Sequence, residues 1–186
     1  SSFQVVFEDC DDAVAGVSSD NDGTSVFNFA NIIPQLLNFV SDPTQFSVRF
    51  YASQQDAEIQ FDINGNSLEI TNISNYRNTT PFAQLIWVRV ENNLNNACFG
   101  VGPYVRLVVN ALPNLGPNQE FIYCSGNPAV LLTPNLLGSN PGNFTYQWSY
   151  NGVPVNGGLG PQLLVAQEGV YTVRVTTNKG CFREQD

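Results

Sequence analysis

Runs of apolar and β-branched residues, each bounded by turn residues, recur along the chain and predict strands. Three such runs lie in the first part, at FSVRFYAS (46–53), LIWVRVEN (85–92) and YVRLVVNA (104–111). Four more follow, at residues 129–134, 144–151, 162–166 and 169–177. The tripeptides NDG, NGN, NPG, YNG and NKG between the runs are typical of tight turns. The pattern therefore predicts an all-β protein.

Two short segments depart from the strand pattern and predict a minor helical content. ANIIPQLLNF (30–39) carries apolar residues near helical spacing, and DPTQF after it ends the segment. We expect one short helix here, packed on a sheet. QQDAE (54–58) predicts one further helical turn.

The segment ALPNLGPNQ (111–119) predicts a domain boundary, because its prolines and glycine cannot join a regular ladder of strands. We place a β-sandwich domain with one short helix at residues 1–112, a linker at 113–119 and a second domain at 120–186. Both domains are of ordinary size. The predicted fold is two tandem Ig-like β-sandwiches.

The second domain carries the features that favour an immunoglobulin-like sandwich. Trp148 lies on a central predicted strand between Cys124 and Cys181, where such a core needs a large side chain. Gly169 at a turn and Tyr171 at the start of a strand are placed as a tyrosine corner requires.

Composition excludes several classes of function. The net charge is −9, Lys179 is the only lysine and the six arginines are scattered, so we expect no nucleic-acid partner. The chain contains no histidine, which removes the Ser-His-Asp triad and the commonest zinc ligand. No apolar run is long enough to span a membrane. A weakly charged, polar surface with many β-branched and aromatic residues is typical of extracellular all-β modules.

The four cysteines, Cys10, Cys98, Cys124 and Cys181, predict disulfides rather than a metal site, because no CxxC spacing occurs. Four cysteines allow three pairings. We favour Cys10–Cys98 and Cys124–Cys181, since each bridge then lies inside one predicted domain.

The stretch CDDAVAGVSSDNDGTSVFNF (10–29) raises the question of calcium, since it holds four aspartates, Glu8 and Asp9 directly precede it, and no base lies beside them. The candidate ligands are Asp11, Asp12, Asp20 and Asp22, because calcium takes several oxygen ligands at flexible distances. The loop is not an EF-hand: Ser18 stands where the first aspartate would be. The alternative is that residues 20–23 form a turn and VFNF (26–29) the first core strand. Apart from calcium we expect no cofactor.

Other candidate chemistry has weaker support. A glycosidase needs two convergent carboxylates, and nothing in the spacing of Asp56, Glu58, Asp62 and Glu69 implies convergence, so we interpret them as surface charge. Sugars could stack on exposed rings. Trp87 and Trp148 are predicted to face inward, and the exposed candidates are Tyr76, Tyr104, Tyr123 and Tyr150.

The motifs CDD, NDG, FYASQQDA, VRVEN and CF follow one another along the first part of the chain. Their order resembles a repeat of large secreted Bacteroidota proteins, among them the Flavobacterium-type gliding-motility adhesins exported by the type IX secretion system. The matching positions are Cys10, Asp11, Asp12, Asp22, Gly23, Phe27, Phe50, Tyr51, Asp56, Ala57, Val88, Arg89, Val90, Glu91, Asn92, Cys98 and Phe99. The sequence departs from the repeat at Asn28, where the repeat has aspartate, and by the insertion AVAGVSSD.

The second part, from IYCSGNP to GVYTVRVTTNKGC, is similar to the Ig-like module that precedes a type-B sorting domain in such proteins. The resemblance implies a non-enzymatic fragment of a secreted cell-surface adhesin, located outside the cell. Its modules would form a stalk and interaction surfaces for gliding motility or attachment. The implied partners are a surface polysaccharide or protein and, through a sorting domain outside this chain, the secretion machinery. The alternative is a carbohydrate-binding module that accompanies a polysaccharide-degrading enzyme.

Overall fold

The computed structural model describes residues 3–14, 19–95, 98–124, 126, 128–138 and 143–186, with only the backbone at positions 98 and 99. The chain divides into two compact units, Ser1–Asn110 and Ala111–Asp186. Strands dominate both units and the α-helices are short, so the predicted all-β fold class is confirmed.

The first unit is built on one four-stranded sheet in the order β1-β6-β5-β3. Strand β1 runs parallel to β6, whereas β5 pairs antiparallel with both β6 and β3. A separate two-stranded ribbon joins β2 to β4. The strands are β1 Val5–Cys10, β2 Val26–Phe27, β3 Phe46–Tyr51, β4 Tyr76–Arg77, β5 Ala83–Asn92 and β6 Cys98–Asn110.

Two helices cover the sheet, and both were predicted. A 3-10 turn (Ala30–Ile32) leads into α1, Ile33–Leu37, and this segment buries Ile32 and Leu36. Helix α2, Gln54–Ile59, begins after Ser53, whose side chain accepts a hydrogen bond from the Asp56 amide, as an N-cap does. A further 3-10 turn spans Pro43–Gln45.

The core of the first unit centres on Phe29, which packs edge-on against Phe50 at 5.4 Å and Tyr76 at 5.9 Å between ring centroids. Apolar residues at alternate positions of β5 and β6 complete it, as expected for strands that face a core on one side. Of the predicted core strand VFNF, only Val26–Phe27 is a strand, but both Phe27 and Phe29 are buried.

The second unit is a small antiparallel sandwich. A four-stranded sheet, β12-β11-β8-β9, faces a two-stranded sheet, β10-β7. Trp148 and Val173 of the larger sheet pack against Leu132 and Val165 of the smaller one, so the predicted inward position of Trp148 is confirmed. The strands are β7 Val130–Leu132, β8 Phe144–Tyr150, β9 Val153–Pro154, β10 Leu163–Val165, β11 Tyr171–Thr177 and β12 Phe182–Gln185.

The segment that we predicted as a linker, 113–119, is hydrogen-bonded into the second unit. The Gly116 amide donates to the Asn135 carbonyl at 2.8 Å, and the Leu137 amide donates to the Asn114 carbonyl at 2.9 Å. Pro113 is fully buried. The segment therefore belongs to none of the main sheets, but its backbone hydrogen bonds to Asn135 and Leu137 attach it to the sandwich.

Candidate functional site

Residues 20–23 form a turn, as the NDG motif predicted. Gly23 has a φ of +74°, and its carbonyl accepts a hydrogen bond from the Phe82 amide at 2.8 Å. A Cβ at this position would lie 2.7 Å from that same nitrogen. Glycine is therefore needed both for its conformation and for the close approach of the chain at Phe82.

Asp11 is a buried carboxylate held by the turn. Its side chain is 4% exposed, and one oxygen, Oδ2, accepts a hydrogen bond from the Gly23 amide at 2.8 Å. The other oxygen, Oδ1, is buried without a hydrogen-bond partner. Burial raises the pKa of Asp11, and the neighbouring charges of Asp22 and Asp12 act in the same direction.

A base does neutralise the acidic loop, but it comes from far along the sequence. The Arg77 guanidinium donates to both oxygens of Asp12, at 2.7 and 2.9 Å, and to the Thr24 hydroxyl at 2.9 Å. Such bidentate pairs are the strongest form of arginine–carboxylate contact. Arg77 therefore supplies in the fold the positive charge that the local sequence lacks.

Asp22 is likewise bonded within the loop. It accepts hydrogen bonds from the Thr24 hydroxyl and amide and from the Ser19 amide, and these bonds lower its pKa. Across the described ranges, no group of three or more histidine, cysteine, aspartate or glutamate residues is arranged to hold a metal. A calcium site at Asp11, Asp12, Asp20 and Asp22 stays a prediction, and Ser18 lies outside the described residues.

The FYASQQDA and VRVEN motifs meet in one charged network on the sheet. Arg89 donates to Glu91 at 2.6 Å and to the carbonyl of Ala57 in α2 at 3.1 Å. Arg49 bridges Glu91 and Glu69, at 3.1 and 2.7 Å. This network fixes the short helix to the strands, which gives these motif positions a structural role.

Three of the four carboxylates considered for catalysis have local contacts. Glu69 pairs with Arg49, Glu58 accepts from Gln54, and Asp62 accepts bonds from the Asn64 and Asn66 amides. The bonds to Asp62, the one from the Asn66 side chain first, lower the pKa of this carboxyl. These contacts give Glu58, Asp62 and Glu69 local structural roles.

The cysteines pair differently from our prediction. Cys10 and Cys181 are both disulfide-bonded, whereas Cys124 is an exposed free thiol. The pair Cys124–Cys181 is therefore wrong. Cys10–Cys98 is wrong as well, because it would leave Cys181 with no cysteine to bond. The disulfide is Cys10–Cys181, and it joins a residue of the first unit to a residue of the second.

The model of one protein family, the Flavobacterium inter-domain disulphide bond domain (FIDD), matches residues 6–113. The chain belongs to the FIDD family. The FIDD match contains Cys10 but ends well before Cys181, so a disulfide between these residues agrees with the family's description. Our assumption that each bridge closes within one domain was the source of the wrong pairing.

The FIDD match supports a Bacteroidota-type origin, and together with the structural disulfide it favours an extracellular location. No curated protein matches the chain. In the described part of the chain, no helix combines the length and apolar character needed to cross a membrane.

The four tyrosines considered as exposed sugar-stacking residues are less accessible to solvent than predicted. Tyr76 is buried in the core, where its hydroxyl accepts a hydrogen bond from Gln84 at 3.1 Å. Tyr104, Tyr123 and Tyr150 are half-buried. Tyr76, Tyr104 and Tyr150 lie on strands whose sequence pattern did not show whether each ring faces the core or the solvent, and Tyr123 lies outside the strands.

Three tyrosine hydroxyls of the second unit bind consecutive backbone carbonyls. Tyr123 donates to Ala166 at 2.7 Å, Tyr171 to Gln167 at 3.2 Å and Tyr150 to Glu168 at 2.9 Å. The Tyr171 bond is the predicted tyrosine corner. Gly169 follows with a φ of +151°, and a Cβ there would lie 2.2 Å from the Tyr150 ring.

A groove of about 650 Å³ runs beside this loop, within the size range of ligand sites. The residues that line it include Tyr123, Trp148, Tyr171 and Val173. Its polar rim includes Glu120, Gln167 and Glu168.

Proposed function

We propose that this chain is a non-enzymatic stalk segment of a secreted cell-surface adhesin, in which one disulfide protects two modules against mechanical extension. The observation that carries the proposal is the covalent link Cys10–Cys181. The residues between the two cysteines include nearly all of both units.

The connectivity alone determines how such a segment responds to tension. A pull applied through the chain on either side passes from residue 10 to residue 181 through the disulfide. Residues between them carry none of the load, whatever the stability of the individual sheets. A stalk made of such segments keeps its length when a cell is dragged from its attachment.

The proposed setting follows the resemblance of the motifs to gliding-motility adhesins, and the FIDD match supports it at the level of a Flavobacterium-type extracellular module. The type IX secretion machinery is the proposed export route, through a sorting domain outside this chain. A surface polysaccharide or protein is the proposed ligand of the parent adhesin.

The test uses the parent protein in a Flavobacterium-type host, with Cys10→Ser and Cys181→Ser compared with the matched control Cys124→Ser. Surface amount is measured by antibody labelling of intact cells, and attachment by cell retention under rising shear. We expect both disulfide variants to reach the surface but to detach at lower shear than the control. Equal retention of all three strains would refute the mechanical role. Surface display that persists in a strain without type IX secretion would refute the export route.

Carbohydrate binding is the second candidate, and the groove of the second unit is the observation that favours it. The groove combines aromatic rings with carboxylate and amide groups, and none of its lining residues is lysine or arginine. This lining suits a neutral glycan better than an acidic one. A glycan array with Tyr123→Ala and Tyr123→Phe separates the two functions: binding lost only in the alanine variant supports sugar stacking, and no binding by the wild type refutes it.

A further inference from the structure

The two cysteines that form the disulfide differ from the other two in the charges that flank them. Within two residues of Cys10 lie four carboxylates, and these are Glu8, Asp9, Asp11 and Asp12. Within two residues of Cys181 lie two cations and no acid, and the cations are Lys179 and Arg183. Cys98 and Cys124 have no charged residue within the same distance.

These flanks are unusual for this chain. It carries only seven basic residues and its single lysine is Lys179, yet two of the seven flank Cys181. A quarter of its sixteen acidic residues flank Cys10. The opposite charges therefore mark the two cysteines that pair.

The structure leaves part of both flanks accessible to long-range attraction. Glu8 and Asp9 are exposed at the end of β1, and Asp9 is held beside Cys10 because its Oδ1 accepts from the Cys10 amide at 2.8 Å. Lys179 is exposed in the turn before β12. Arg183 is half-buried, and its guanidinium donates to the Pro113 carbonyl at 3.1 Å.

We propose that the acidic flank of Cys10 and the basic flank of Cys181 select this pair electrostatically during oxidative folding. Attraction between the flanks raises the frequency with which the two thiols meet, and the uncharged sequence neighbours of Cys98 and Cys124 give those thiols no such advantage. Glu91 lies opposite Cys98 on β5, but Arg49 and Arg89 compensate its charge. The flanking charged residues are thus positioning residues for the inter-domain bond. They act through long-range attraction, so the acidic and basic side chains need not touch.

The chemistry is two thiol–disulfide exchanges driven by an external small-molecule disulfide. One cysteine thiolate attacks that disulfide and forms a mixed disulfide, which releases one small thiolate. The second cysteine thiolate then attacks the sulfur of the first cysteine and releases the other small thiolate. Two protein thiols lose two protons and two electrons, and the oxidant becomes two thiols. Flank attraction acts on the second step, in which two distant parts of the chain must meet.

The size of the effect follows from Coulomb's law. A unit charge pair about 12 Å apart in water changes an encounter rate by a little under twofold. Reversal of Lys179 turns attraction into repulsion at the two exposed carboxylates, Glu8 and Asp9, whereas Asp12 is already paired with Arg77 and Asp11 is buried. Each interaction changes by two unit charges, so we expect a threefold to tenfold slower reaction at roughly 10 mM ionic strength. At about 1 M salt the screening length falls to about 3 Å, and the difference should vanish.

The experiment starts from the reduced full-length chain and uses bis(2-hydroxyethyl) disulfide, an uncharged oxidant. Samples are quenched by alkylation, and each disulfide is quantified by non-reducing peptide mapping. Lys179→Glu is compared with the matched control Asn156→Glu with Gln162→Glu, which makes the same change of net charge at two exposed residues remote in sequence from all four cysteines. We expect slower formation of Cys10–Cys181 and more of the other pairings in Lys179→Glu only.

Two further measurements do not depend on that variant alone. The wild type should form Cys10–Cys181 more slowly as salt rises, and the charge swap Glu8→Lys with Lys179→Glu should recover at least part of the wild-type rate. Equal rates for Lys179→Glu and for the control Asn156→Glu with Gln162→Glu at low salt would overturn the proposal. So would a wild-type rate that does not change between low and high salt.

Discussion

Reduction of the Cys10–Cys181 disulfide should convert an almost inextensible segment into a long extensible one. With the bond intact, a pull between the two ends can extend only residues 1–9 and 182–186, which amounts to about 50 Å of extended chain. Once the bond is broken, about 170 more residues enter the path of the force, and full extension adds roughly 600 Å. The predicted extension therefore rises roughly thirteenfold.

Single-molecule force spectroscopy measures this change directly. The full chain is placed between reference domains and pulled at forces that disrupt sheets but leave covalent bonds intact. The wild type and Cys124→Ser should show only the unfolding steps of the reference domains. Cys181→Ser, and the wild type in reducing buffer, should add extensions that total about 600 Å, divided between the two units. A wild-type chain that extends fully under oxidising conditions would show that the reasoning is wrong.

Three smaller perturbations test individual contacts. Burial raises the pKa of Asp11 above its ordinary value of 3.8, so the stability contributed by the protonated Asp11 carboxyl is complete below pH 3.8 and is lost as pH rises through the folded pKa. Asp11→Asn should therefore flatten the pH dependence of the urea-unfolding free energy just above pH 3.8. An unchanged pH dependence would contradict this. Arg77→Gln removes both bonds to Asp12 and should lower the unfolding free energy by about 1 kcal/mol, since the pair is partly solvated. The variant's melting temperature should also respond more to added calcium than that of the wild type. An unchanged stability and calcium response would refute the role given to Arg77. Gly169→Ala should lower the unfolding free energy of the second unit by about 2 kcal/mol or more, because the new Cβ would collide with Tyr150. In the control Gly157→Ala the new Cβ meets no atom within 4 Å, and the loss should be only about 1 kcal/mol. Equal losses would mean that the ring contact is not the cause.

The strand pattern predicted most of the fold because alternation is a local property of each strand. Seven predicted runs became strands, and the two helical segments were found where apolar spacing changed. Local patterns gave no sign that β1 pairs in parallel with β6, a hundred residues away. Nor did the composition of 113–119 show that its backbone bonds with residues 135 and 137.

The site was harder to predict because its decisive contacts join residues distant in sequence. Arg77 reaches Asp12 across sixty-five positions, so the loop seemed to lack a base. The disulfide was assigned wrongly because we paired the cysteines by predicted domain. The sequence held another signal: of the four cysteines, only Cys10 and Cys181 have charged residues within two positions, and these charges are opposite in sign. Charge patterns around cysteines deserve weight beside domain boundaries when pairings are assigned.

The three tyrosine hydroxyls that bind residues 166, 167 and 168 all contact the main chain and not the side chains of that loop. Every amino acid presents the same carbonyl, so Ala166, Gln167 and Glu168 can be exchanged without loss of these bonds. Only Gly169 beside them is sterically fixed. The loop is thus a place where surface chemistry can diversify on an unchanged frame, in natural relatives or in grafted peptide libraries.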